Sequence, residues 1–290
     1  ASIMRSLIDL HCHSTVSDGV LTPSEVVHHA AEQGVRVLAL TDHDDVTGLS
    51  TARAVAQTHG IQFIDGVEIS VTWRRRTLHI VGLKINPEYP PLLEGLASIR
   101  AGRHTRAEGM AHALEKIDIH GVLEGAYAHS KGGIISRTHF ARFLIEHGYA
   151  KDTKAVFKHY LVKGKPGYFE HQWASLEDAM SWIIGSGGVA VIAHPGRYDL
   201  GRVTMLELMH EFRALGGSAI EVVTGSHTVD QYQEFAKMAK AFDLASSMGS
   251  DYHGKGQTYI EMGRLPSLPS NCVPVWRDWP EVQNVELETH

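Results

Sequence analysis

A chain of 290 residues, 43% hydrophobic and 21% charged, is long enough to bury a large core and short for two full catalytic domains. Its formal net charge of −6 argues against a general polyanion-binding surface, and so against duplex DNA as a partner. No apolar run approaches the roughly 20 residues that span a bilayer. Ala1 to Arg5 lacks the apolar stretch of a secretory signal, and two cysteines, Cys12 and Cys272, cannot build a disulfide framework. A cytoplasmic protein without an obligate protein partner is expected. Ala1 to Ile3 read as an appendage ahead of a native Met4, and the last few residues as vector-derived.

Leu7 to Leu10 reads as a buried strand. Thr22-Pro23-Ser24-Glu25 then opens a helix, with Thr22 as N-cap and Glu25 completing a capping box. Val35–Leu40 is a second strand, Leu49–Thr58 a second helix, Ile61–Ser70 a third strand and Thr77–Leu83 a fourth. Arg74-Arg75-Arg76 marks a charged hairpin turn between the last two. Short apolar strands alternating with helices point to parallel pairing through crossovers. From residue 92 to 172 the rhythm changes to successive helices, about 94–117, 137–147 and 152–161, which reads as a helical insertion. Alternation resumes with a helix opening at Ser175, a strand at Gly188–Ala193, a helix at Met205–Leu215 and a strand at Ala219–Val223. A helix at Val229–Ala241 and a strand at Leu244–Met248 follow. The tail from Leu265 carries four prolines and is expected to pack along the outside. About seven strands suggest a closed or nearly closed α/β barrel, over residues 1–91 and 173–290, interrupted by the insertion at 92–172.

Charge is uneven along this frame. Residues 94–172 carry four more basic than acidic side chains, and the remainder ten more acidic than basic. That suits phosphate binding in one part and cation binding in the other, or is simply an uneven surface.

Twenty histidines against 27 Lys plus Arg make placement worth following. Asp9-Leu10-His11-Cys12-His13 puts two imidazoles on the same side of an extended chain, with Cys12 facing the core. Further candidates lie in or just after the strands: Asp18 in Ser17-Asp18-Gly19, His43 in Thr41-Asp42-His43-Asp44, Glu68, His79, His194 in Ala193-His194-Pro195, and Asp251 and His253 in Gly249-Ser250-Asp251-Tyr252-His253. Side chains at the carboxyl ends of barrel strands converge on one mouth. Six histidines and three carboxylates there are poor structural material, because buried like groups repel; divalent cations resolve the cost. Nitrogen and carboxylate donors without thiolate favour manganese, zinc or iron.

These motifs, in this order, resemble those of the PHP (polymerase and histidinol phosphatase) family. The resemblance implies a distorted seven-stranded β/α barrel with a trinuclear metal site. It implies that His11, His13, Glu68 and Asp251 hold one ion, that Glu68 bridges to a second completed by His79 and His194, and that Asp18, His43 and His253 hold a third. Three manganese ions are expected, with zinc or iron as alternatives. Residues 135–142, 164–168, 171–178 and 192–198 resemble a branch containing bacterial 3',5'-nucleotide bisphosphate phosphatases and 5'-to-3' exoribonucleases of the RNase AM kind. That implies a metal-dependent phosphoesterase acting on 5'-phosphorylated nucleotides or RNA. A histidinol-phosphate-type phosphomonoesterase and a non-catalytic, metal-stabilised module are the alternatives.

A second phosphate needs its own contacts. Arg137 and His139 stand at a helix start, where free N–H groups favour anions. Arg197 follows His194 by three residues, and Lys165 sits in a Gly/Pro turn. Arg100, Arg103 and Arg106 form a ridge on one helix, read as a solvated face, with contact to an RNA backbone as the alternative. His28, His29 and His112 carry no functional reading.

Overall fold

The computed structural model describes residues 6–288, so the segments read as appendages at residues 1–3 and at the extreme C-terminus lie wholly or partly outside it. Among the described residues eight strands form: β1 (Ile8–Asp9), β2 (Val37–Leu40), β3 (Gln62–Trp73), β4 (Arg76–Leu83), β5 (Ala174–Ser175), β6 (Val189–Ile192), β7 (Ala219–Thr224) and β8 (Ala245–Gly249). Seven of them curl into a barrel in the order β1-β2-β3-β4-β6-β7-β8, while β5 extends the far end of β3. The seam between β8 and β1 is drawn nearly shut by Leu10 N–H donating to the Met248 carbonyl (3.1 Å) and Asp251 N–H to the His11 carbonyl (2.8 Å).

Parallel pairing holds for β1–β2–β3 and β6–β7–β8, but β4 runs antiparallel to both its neighbours. The cause is the two-residue turn Arg74–Arg75, both at positive φ (46° and 66°), the geometry that fits a hairpin's twist. So short a link leaves no length for a crossover.

Helices α1 (Pro23–Glu32) and α2 (Leu49–Thr58) pack on one side of the barrel. Thr22 caps α1 in a reciprocal box with Glu25, as the sequence predicts. The insertion holds α3 (Pro90–Glu115), α4 (Val122–Ser130), α5 (Arg137–Glu146) and α6 (Thr153–Val156), which widens into a π-helical turn at Phe157–Leu161. Leu92, Leu96 and Ile99 of α3 pack into the barrel's outer core, whereas Met110 and Leu114 join Phe140, Leu144, Val156 and Leu161 in a separate core. One long helix thus ties the insertion to the barrel. After it come α7 (Leu176–Gly185), α8 (Arg202–Ala214) and α9 (Val229–Ala241).

The tail does not simply lie on the outside. It ends in α10 (Pro280–Glu288), and Trp279, Val282 and Val285 pack against Leu10, Val37, Ile64, Val81 and Leu83 inside the barrel. The i, i+3, i+6 spacing puts all three on one face, and each buried side chain contributes about 1.5–3 kcal/mol. This plug closes one end and leaves the other as the mouth. Among the described residues no helix is long and apolar enough to cross a membrane.

Candidate metal centre and its cavity

At the mouth the nine expected ligands meet. His11 and His13 leave β1 on the same side, while Cys12 is fully buried and donates its thiol to the Ala39 carbonyl. A Cβ at position 249 would lie 2.3 Å from that of His11, so glycine lets β8 approach the first ligand. Asp251 Oδ1 stands 3.1 Å from His11 Nε2 and 3.0 Å from His13 Nε2. Glu68, fully buried in β3, is the hub. Its Oε1 lies 3.3 Å from His11 Nε2, 3.2 Å from His13 Nε2 and 3.3 Å from His43 Nδ1. Its Oε2 lies 3.4 Å from His79 Nδ1 and 3.3 Å from His194 Nε2. Asp18 Oδ1 faces His253 Nε2 at 3.1 Å, and its Oδ2 faces His43 Nε2 at 3.6 Å.

The donors fall into three overlapping groups: His11, His13, Glu68 and Asp251; His43, Glu68 and His79; His13, Asp18, His43 and His253. His194 adjoins the second through Glu68. His13 and His43 each belong to two groups, where the expected partition gave each to one ion. His79 joins the mouth because β4 is reversed, so the start of that strand lies beside the ends of its neighbours.

Several of these atoms are sealed from solvent without a hydrogen-bond partner: His11 Nε2, Nδ1 of His43 and His79, both Glu68 oxygens and Asp18 Oδ1. Leaving a buried polar group unsatisfied costs about 1–3 kcal/mol. Metal–ligand bonds of about 2.1 Å at tetrahedral or octahedral angles leave neighbouring donors roughly 3.0–3.4 Å apart. Most of the N···O spacings fall in that range. The donor set fits divalent metal ions.

The electrostatics agree. Burial works against ionisation of Asp18, Glu68 and Asp251, yet the surrounding imidazoles hold all three carboxyls well below their usual range. Burial also opposes protonation of His13, but a hydrogen bond to Asp251 and the adjacent Glu68 carboxylate hold it up at about 10. Burial and then Arg197 push His194 down to about 3.

A surrounding layer fixes the ligands. Glu221, fully buried in β7 beside a bulge, accepts hydrogen bonds from His11 Nδ1 at 2.6 Å and from the His194 backbone N–H at 2.7 Å. His11 Nε2 is thereby left facing the cluster. The Asp251 carbonyl does the same for His253, accepting from its Nδ1 at 2.7 Å. Asp42 ties down the first loop by accepting from Ser14 N–H and from the Ser14 and Ser17 hydroxyls. Tyr198 accepts from His79 N–H and donates to the Ala193 carbonyl, bracing β4 against β6. His194 and Asp251 both hold positive φ, at 28° and 58°, backbone strain that clusters at functional sites.

The cluster floors an open cavity of about 700 Å³ whose opposite wall carries Arg103, Arg106 and Arg137, with Arg197 at the mouth. The ridge on α3 is therefore not a solvated face. Arg103 is 5% exposed and its Nη2 donates to Asp44 Oδ2 (2.6 Å) and to the Ser70 hydroxyl (2.8 Å). Arg106 lies over the Trp173 ring at 5.1 Å, and Arg137 over Phe157 at 5.0 Å. Among the described residues neither Arg106 nor Arg137 has a carboxylate or other acceptor. Burial, then Arg137 and Arg103, hold the Arg106 guanidinium well below its usual range, and burial and Arg197 bring Arg137 to about 10.

Two expected substrate contacts lie elsewhere. His139 is 1% exposed and its Nδ1 accepts from Ser136 N–H, so its ring caps α5. Lys165 is exposed and does not line the cavity. Sequence reasoning missed Glu221, a lone carboxylate in the apolar run Ala219–Val223, and Arg106, whose spacing from Arg103 was visible but not its burial.

The family model described as "PHP domain" matches residues 9–190. The 3',5'-nucleoside bisphosphate phosphatase of Chromobacterium violaceum is 52% identical over 272 residues, 93% of this chain and 95% of its own. The 5'-3' exoribonuclease Rnm of Escherichia coli is 42% identical over 280 residues, 96% of this chain and 95% of its own. A solved structure assigned as a metal-dependent phosphoesterase from Bifidobacterium adolescentis aligns with a TM-score of 0.79 at 25% identity, over 97% of this chain and 95% of that one. With its motifs, barrel and donor cluster in agreement with these relatives, the chain belongs to the PHP domain family.

Proposed function

We propose that this protein hydrolyses the phosphate ester on the 3' side of a 5'-phosphorylated nucleotide. It would release phosphate from 3',5'-nucleoside bisphosphates and successive nucleotides from the 5' end of RNA. The carrying observation is a single cavity with a cation-binding cluster on its floor and two arginines without acceptors, Arg106 and Arg137, on its wall. One phosphate fits the floor and a second the wall. The names of the two relatives, a bisphosphate phosphatase and an exoribonuclease, support one chemistry with two substrates.

Three manganese ions are the proposed complement, held by His11, His13, Asp18, His43, Glu68, His79, His194, Asp251 and His253. When bound, divalent ions at such a site supply a water activated near neutral pH and a clamp for phosphoryl oxygens. The chain's own residues do the rest. Glu221 and the Asp251 carbonyl keep the correct nitrogens of His11 and His253 turned inward. Arg106 and Arg137 hold the 5'-phosphate, their partial burial strengthening each charge-assisted hydrogen bond. Arg197, 3.4 Å from Asp251 and half-exposed, stands where the scissile phosphate enters. Water oxygen bonds to phosphorus, the bond from phosphorus to the 3'-oxygen breaks, and that oxygen leaves with a proton. From RNA, the shortened chain keeps the phosphorus as a new 5'-phosphate, so each turnover generates the next substrate.

The test is phosphate release from 3',5'-bisphosphoadenosine, set beside nucleotide release from 5'-phosphorylated RNA, with manganese added. Turnover of both supports the reading. Activity on histidinol phosphate or aryl phosphates alone would overturn it.

A further inference from the structure

Three aromatic side chains line the cavity, and the function above uses only two sides of it. Phe157 and Trp173 stand beside Arg137 and Arg106, on the wall that would take the first nucleotide. The third, Tyr259, is on the β8 side and is 87% exposed, the most open large hydrophobic side chain among the described residues. Among those residues its ring and hydroxyl have no partner. A single exposed aromatic is ordinary on a protein surface. This one is held at the edge of a phosphoesterase cavity by a built loop.

That loop is rooted in the cluster. His253 N–H donates to Thr258 Oγ1 at 2.7 Å, Gln257 N–H donates to the Gly254 carbonyl at 3.0 Å, and the His253 carbonyl accepts from Val20 N–H at 2.7 Å. Gly254 and Gly256 take positive φ of 135° and 81°, letting the chain turn sharply and project its tip. The tip, Lys255 to Tyr259, exposes Lys255, Gln257 and Tyr259 and carries no acidic residue.

We infer that Tyr259 is the stacking platform for the second nucleobase of an RNA substrate, and that this loop distinguishes a polynucleotide from a nucleoside bisphosphate. The inference rests on the function proposed above. The scissile phosphorus carries two esters in RNA. Its 3'-oxygen side runs to the first nucleotide and the arginine wall, so its 5'-oxygen side must leave the floor toward the mouth. A bisphosphate has nothing there. An aromatic face accepts any base, so stacking aids binding without demanding a sequence. Lys255 beside it suits the following backbone phosphate.

The experiment compares 5'-phosphorylated diadenylate with the same compound lacking its second base, in manganese, for the wild type, Tyr259→Ala and Tyr259→Phe. The wild type should prefer the complete dinucleotide in kcat/KM by about tenfold, which corresponds to about 1.4 kcal/mol of stacking. Tyr259→Phe should keep that preference, and Tyr259→Ala should bring it within about twofold of unity. A preference retained in Tyr259→Ala, or absent from the wild type, overturns the inference. So does hydrolysis of 3',5'-bisphosphoadenosine with no cleavage of either dinucleotide, which leaves only the phosphatase half of the function reading standing. Failure on all these substrates overturns that reading as well.

Discussion

Arg137 carries a charge that its surroundings do not neutralise, and that makes its role separable from folding. Replacing it with Ala relieves repulsion from Arg197 and removes a guanidinium with no acceptor of its own. The KM for 3',5'-bisphosphoadenosine should rise at least about tenfold, by loss of a charge-assisted contact worth about 1.5–3 kcal/mol, while that for an aryl phosphate changes within about twofold. Equal effects on both would place the 5'-phosphate elsewhere. Glu221 acts one step further out. Glu221→Ala removes the acceptor that sets the His11 tautomer and supports the His194 backbone. The manganese concentration giving half-maximal activity should rise roughly 10- to 100-fold, and an unchanged requirement would deny the residue that part. Seven of the nine inward donors were legible in short motifs near strand ends, where local sequence and position carry the same message, and Glu68 and His79 from their strands alone. Glu221 was not. A lone carboxylate in an apolar strand shows its partner only when the barrel closes through β8 and brings β7 near β1, and those residues are 210 positions apart.

Element α3 decides whether wall and floor meet. Its first half is buried against the barrel and its second half in the insertion's own core, and Arg103 pins the crossing by an ion pair to the fully buried Asp44. Arg103→Met would strand that carboxylate, and removing one partner of a buried pair typically costs about 3–5 kcal/mol. Urea denaturation should show a loss of that order, and a change under about 1 kcal/mol would mean the pair is not holding the two cores together. Here the sequence was ambiguous for a physical reason. An arginine every third residue marks a helix face equally well whether that face meets water or a cavity, and only the packing of Leu92, Leu96 and Ile99 turns it inward. The prolines of the tail misled in the same way, because they shape the approach while Trp279, Val282 and Val285 decide where α10 docks. Helix starts fared better: Thr22 and Ser175 cap their helices as the local pattern predicts, since a cap is satisfied within three residues.

At the scale of the whole molecule, the cluster draws together β1, β3, β4 and the loops after β2, β6 and β8, so metal loading should be felt globally. A chelator should abolish turnover and lower the thermal midpoint by roughly 5–10 °C, as expected when ions held at about a hundred times their dissociation constant are withdrawn. The protein should remain folded, because the barrel's inner and outer cores contain none of these ligands. Unfolding on chelation, with no activity beforehand, would mean that the ions are only structural.

Trp173 closes the insertion where it rejoins the barrel, and it does so by stacking under Arg103 and Arg106 near the point where α3 crosses over. Departure and return are therefore fastened at one spot, like the two ends of a cassette clipped to a frame. Between those ends the insertion is tied to the first loop of the barrel as well, where Arg142 Nη2 donates to the Asp18 carbonyl at 3.1 Å and Ile134 N–H to that of Val16 at 3.0 Å. Substitutions that retune the wall from α5 therefore also bear on the Asp18 loop of the floor.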